Sequence, residues 1–203
     1  LRKRKNLKRK NLKRKNLKKI KKNLSKYIMS ELLEAVENNN IKKVRELLKA
    51  GADINFQGVN GYSALCISIV EATPKSKKIS KLLIDSGADI NVVTSCEITP
   101  LYLAVEISNL EIFKLLLEKG ANPNTQDCFG ESLLHEAVRE YSNAVDENKK
   151  TNQKKSLEII NLLIKHTNNL NFQNERGQTP LFKVTDWENM DIVKLLVESG
   201  ADP

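Results

Sequence analysis

The chain has 203 residues and a formal net charge of +9, with 29% charged and 5% aromatic residues. It is long enough to bury a core, and no apolar run approaches the roughly 20 residues that a membrane-spanning helix needs. Cys66, Cys96 and Cys128 are odd in number and have no metal-ligand spacing, so they read as reduced structural thiols of an intracellular, cytoplasmic protein, with export into a host cell left open.

The charge is unevenly placed. Residues 1–28 hold 15 of the 34 Lys and Arg and no acidic residue; the remainder has 19 basic against 25 acidic residues, a net of −6. In this first segment the word "NLKRK" repeats almost unchanged, and Leu7, Leu12 and Leu17 recur every five residues, which scatters them around a helix axis. With one aromatic, Tyr27, and strong self-repulsion, 1–28 is expected to be a disordered, low-complexity basic tail. It has no apolar stretch behind its charges, as a secretory signal requires. Its simplest reading is a solvated charge run; binding to nucleic acid, an anionic membrane or a nuclear import receptor through the tail is the alternative.

From Met29 onward the chain repeats itself. "GADIN" at 51–55 returns at 87–91, then as "GANPN" at 120–124, "TNNLN" at 167–171 and "GADP" at 200–203, at intervals of 36, 33, 47 and 33 residues. A second word keeps the register: "SELLEA" from Ser30, "SALCIS" from Ser63, "TPLYLA" from Thr99, "SLLHEA" from Ser132 and "TPLFKV" from Thr179. Each Ser or Thr before an apolar run is a helix N-cap, and Pro100 and Pro180 suit the first helical position. A second helix follows in each period, as in Leu110, Ile112, Phe113, Leu115, Leu116 and Leu117. Gly51, Gly87, Gly120 and Gly200 stand just past its end, where a left-handed cap favours a residue without a Cβ. About a dozen polar residues with Gly near their middle then form a projecting, hairpin-like loop.

Helix, turn, helix and loop on a 33-residue period, with a "TPLHxA"-like start and a "GADxN" end, resemble the ankyrin repeat family. The resemblance implies an all-α fold, a solenoid of stacked helix-turn-helix pairs with projecting loops. The units run approximately 29–50, 51–86, 87–119, 120–166 and 167–199, and 200–203 opens a further loop. His135 has the position of the motif His, which implies a structural role in tying a helix start to its neighbours. The first pair presents Glu31, Glu34, Glu37 and Asn38 to Asn40, a polar exterior suited to one end of a stack. The last pair is as apolar as an interior one, and the C-terminus reads as cut or naturally frayed inside an array.

Three departures from the pattern carry expectations. Cys96-Glu97 replaces the loop-tip Gly, so that tip should turn less sharply. Thr167 replaces the capping Gly, leaving the positive φ to Asn168 or the turn strained. The polar run 143–156 opens the fourth pair as a solvated loop or a helix extension.

No nucleophile with a base, no paired carboxylates and no metal-ligand cluster appears in the sequence, so the body reads as non-catalytic, with no cofactor and no metal. The resemblance instead implies a protein-protein interaction module, monomeric, whose partner is another protein and whose contact with nucleic acid is limited to the tail. Its variable positions are the residue after the motif His (Ile67, Leu103, Glu136, Lys183) and the two closing the first helix (Val70 and Glu71, Glu106 and Ile107, Arg139 and Glu140, Asp186 and Trp187). The loop tips add Val59, Tyr62, Phe129, Glu131, Arg176 and Gln178. Trp187, the only tryptophan, is expected to be an outward anchor or a cover for the last pair.

Overall fold

The computed structural model describes residues 31–186 and 189–202; the basic tail and Trp187 lie outside them. The chain is helical over 31–37 (α1), followed by α2 (Ile41–Lys49), α3 (Ala64–Val70), α4 (Pro74–Asp85), α5 (Pro100–Glu106) and α6 (Leu110–Glu118). Then come α7 (Leu133–Asp146), α8 (Lys150–His166), α9 (Pro180–Asp186) and α10 (Met190–Glu198). Among the described residues, strand-like pairing is limited to two isolated antiparallel bridges, Gln57 with Ser63 and Gln126 with Ser132. The all-α solenoid expected from the repeats is the fold observed.

Helix starts follow the sequence. The hydroxyls of Ser63, Thr99 and Thr179 accept the backbone N–H three residues on, at 3.3, 3.2 and 3.2 Å, which satisfies first-turn amides that have no partner within the helix. Asn40 and Asn109 cap the second helices α2 and α6 in the same way. The first helices α3, α5, α7 and α9 pack in succession, as do the second helices α2, α4, α6 and α8. One continuous core results, filled by Leu32, Leu65, Ile69, Ile79, Leu83, Leu101, Ile112, Phe113, Leu116, Leu133 and Ile159, all buried. At one end Glu34 and Glu37 are exposed; at the other Phe182 and Val197 are exposed in a cleft of about 460 Å³, and Met190 is exposed as well.

Two of the three departures resolve differently from their expectations, and the third takes one of the two forms expected of it. Glu97 adopts φ +60°, the left-handed conformation that Gly61, Gly130 and Gly177 adopt at the other tips, so the turn is kept despite the Cβ. Thr167 has φ −81° and ψ 147°: the chain leaves α8 in an extended conformation, and Asn168 has no positive φ. The loss of the cap is offset by Asn124, whose Oδ1 accepts both the Thr167 hydroxyl at 2.8 Å and the Asn168 N–H at 2.9 Å. The polar run extends both helices of its pair, to 14 residues in α7 and 17 in α8, joined through Asn148 at φ +53°.

Candidate interaction surface

The loops form a ladder. The N–H of Asp89 donates to Asn55 Oδ1 at 2.8 Å, that of Asn122 to Asn91 Oδ1 at 3.0 Å, and that of Asp202 to Asn171 Oδ1 at 3.0 Å. The last residue of each "GADxN" word therefore latches its loop to the next unit. Nearer the tips, Gln57 Nε2 bridges the carbonyls of Gly61 and Val93, and Ser95, Cys128 and Glu175 donate their N–H groups to Asn60, Cys96 and Phe129 of the preceding tip. A Cβ on Gly130 would stand 3.1 Å from the Asn174 backbone, so the close stacking of tips, besides the positive φ, demands glycine there.

Phe129 stands on this scaffold with 64% of its surface exposed. Its position is fixed by Asp127, whose Oδ1 accepts the N–H groups of Phe129 and Glu131, both at 2.9 Å. A groove of about 580 Å³ opens between these tips and the first helices, with Tyr102, Phe129, Arg139, Arg176 and Lys183 among its lining.

The floor of the groove is polar and partly buried. Tyr102 Oη lies 2.9 Å from Glu136 Oε2 and 3.2 Å from Asp127 Oδ2, while Arg139 Nη2 donates to Glu136 from 2.5 Å. Burial pushes the Glu136 carboxyl up to about 7 although Arg139 and the Tyr102 hydroxyl both pull it down. The Tyr102 phenol is raised too, by burial first and then by the two carboxylates. A hydroxyl has one proton to donate, so the Tyr102 O–H serves either Glu136 Oε2 or Asp127 Oδ2, and Arg139 supplies the other donor to Glu136.

Lys183 Nζ, on α9, bonds Glu131 Oε1 of the loop preceding α7 at 2.5 Å, with side-chain exposures of 20% and 12%. Burial would raise the Glu131 carboxyl, but the Lys183 ammonium holds it below its ordinary value. His135 is structural, as the motif implied: the Ser132 N–H donates to Nδ1 at 3.1 Å, which leaves the proton on Nε2 to donate to the Gln178 carbonyl at 3.0 Å. Burial lowers its pKa and keeps the ring neutral.

Leu103 and Glu136 correct the expected surface. They are 1% and 0% exposed, because helix packing closes over the position after the motif residue in these two units. Ile67 and Ile107 are half-buried against the core. Val70, Glu71, Glu106 and Arg176 are exposed; Tyr62, Arg139, Glu140, Lys183 and Gln178 are half-buried; Val59 is 85% exposed. The structure gathers Glu106, Phe129, Glu131, Arg139, Arg176 and Lys183 around one groove and leaves Val59 and Glu71 outside its lining. Asp186 ends α9, and Trp187, including the anchor or cover role expected of it, lies outside the described residues. Sequence reasoning missed Tyr102 and Asp127. The signal was available: Tyr102 has the position of the motif His, and a buried phenol there needs a polar partner, which the next unit supplies as Glu136.

Among the described residues there is no group of three or more His, Cys, Asp or Glu able to hold a metal ion, and no helix long and apolar enough to cross a membrane. A sequence profile of three tandem ankyrin repeats matches residues 32–127 and 70–147, and the single ankyrin repeat profile matches 176–203. The chain belongs to the ankyrin repeat family. It is 34% identical over 173 residues to the ankyrin repeat protein FPV031 of fowlpox virus, covering 83% of this chain and 47% of that one. Similarity extends to ankyrin repeat proteins FPV034 of fowlpox virus, at 30% identity with 86% and 37% covered, and L371 of Acanthamoeba polyphaga mimivirus, at 28% with 83% and 20% covered. The chain thus spans less than half the length of these relatives. As an ankyrin repeat solenoid it is a protein-interaction module, of a family whose members are generally non-catalytic scaffolds.

Proposed function

We propose that this chain acts as a non-catalytic adaptor that grips another protein in the groove centred on Phe129. The reading rests above all on the exposure of Phe129 from a tip made rigid by the Asp127 side chain and the positive φ of Gly130. An aromatic ring held outward by a preorganised turn loses little entropy on binding, as an interface anchor requires. Around it Arg176 and Glu106 are exposed and available for pairing, whereas Lys183 and Arg139 are already paired with Glu131 and Glu136 and define the groove wall. Tyr62, Ile67, Glu71, Ile107 and Glu140 extend the same face toward the first units.

Affinity capture from lysate with the full chain tests the proposal. Phe129→Ala combined with Arg176→Ala should weaken capture of the retained protein about tenfold or more while leaving the melting temperature unchanged. If the double variant captures as well as the parent, and Lys114→Ala on the second-helix face abolishes capture, the groove is not the contact surface.

A further inference from the structure

Cys96 and Cys128 stand on neighbouring loop tips. The N–H of Cys128 donates to the carbonyl of Cys96 at 3.0 Å, a bond that keeps the two Cα atoms about 5 to 6 Å apart, as for paired residues of adjacent strands. That separation falls inside the range of roughly 4.4 to 6.8 Å over which cysteines are bridged without backbone movement. Cys96 is exposed and Cys128 half-buried, so small molecules reach both, whereas Cys66, within α3, is fully buried and its thiol is pushed up by that burial. The Cys128 thiol is also raised, first by burial and next by the Cys96 thiol beside it. Nothing in the stacking of the loops requires cysteine: the equivalent positions in the other units are Asn60, Phe129 and Arg176 for Cys96, and Val59, Ser95 and Glu175 for Cys128.

We infer that Cys96 and Cys128 form a redox modification site, in which a small disulfide of the glutathione class converts the two thiols into an intramolecular disulfide that clamps the second and third loop tips together. Cys96, the more accessible, attacks as its thiolate one sulfur of oxidised glutathione; the S–S bond breaks and a glutathione thiolate leaves. Cys128 then gives up its proton to water and attacks the Cys96 sulfur of the mixed disulfide, expelling the second glutathione. Two protein thiols are oxidised, one glutathione disulfide is reduced to two thiols, and no other reactant is needed. The clamp fixes the tip from which Phe129 projects, one residue from Cys128.

Incubating the full chain with oxidised glutathione and mapping the alkylated peptides tests the site. The expected product is a monomer lighter by about 2 Da, with a Cys96–Cys128 linked peptide and Cys66 alkylated only after unfolding. Because the bridge closes a loop of about 33 residues, its melting temperature should rise by about 5 to 10 °C, and reduction should reverse the rise. Cys96→Ser and Cys128→Ser should each abolish the rise while melting like the reduced parent. A stable glutathione adduct on Cys96, a dimer linked between chains, or an equal rise in either serine variant overturns the inference.

Discussion

Asn124 and Asn168, 44 positions apart in the chain, are joined by a 2.9 Å hydrogen bond from the Asn168 N–H to the Asn124 side-chain carbonyl. The same oxygen accepts the Thr167 hydroxyl, so one amide holds the exit from α8, a second helix that lacks a glycine cap. Asn124→Ala leaves both donors without this acceptor and should destabilise the chain by about 1 to 2 kcal/mol in urea unfolding. Asn91→Ala, which removes a single bond of the same ladder, should cost less. Equal costs would mean that the cap exchange at Thr167 has no energetic weight.

Glu97 sits at φ +60°, where an L side chain crowds the backbone by about 1 to 2 kcal/mol. Glu97→Gly relieves that crowding and loses part of the gain to chain entropy. The net effect should be a stabilisation of about 0.5 to 1 kcal/mol, measured as an increased urea midpoint at unchanged slope.

Glu136 makes stability fall as pH rises. Its carboxyl, ordinarily near 4.5, is pushed up to about 7 by burial. The folded chain therefore holds the proton more tightly than the unfolded one; this contribution is fully present below pH 4.5 and lost as pH rises through 7, a difference on the order of 3 kcal/mol. Neutral His135 tilts stability the opposite way, since its pKa is lowered and its contribution is lost as pH falls below 6.5. The comparison between parent and Glu136→Gln isolates the first effect. The variant should gain on the parent between pH 5 and 8, by chemical denaturation at each pH, and a constant difference would refute the buried acid.

Leu116 is fully buried in the second helix of the third pair, α6. Leu116→Ala should cost about 2 to 5 kcal/mol by leaving a cavity between stacked units. Leu117→Ala, half-buried one position on, should cost clearly less in the same unfolding assay.

Binding to DNA or RNA without sequence preference, where it occurs, should belong to residues 1–28. Filter binding at increasing salt should show a steep loss of affinity, and removal of the tail should abolish it. Retention by the acidic body would place the contact elsewhere.

Fold and repeat register were determined by the sequence itself, because the units are built from local signals: a hydroxyl cap, a helical period of apolar residues and, in all but the fourth described pair, a glycine exit. Those signals act within a few residues and survive in any tertiary setting. The identity of the groove was decided only by the stack. Leu103 and Glu136 share a register position with Lys183, yet two of the three are buried, because exposure depends on which side chains the next unit brings against them. The Tyr102–Glu136 cluster joins residues 34 positions apart, and the Asn124 latch joins residues 44 apart. Even the left-handed turn at Glu97, which the residue itself disfavours, is held in place by the tips stacked on either side, so packing outweighed local preference.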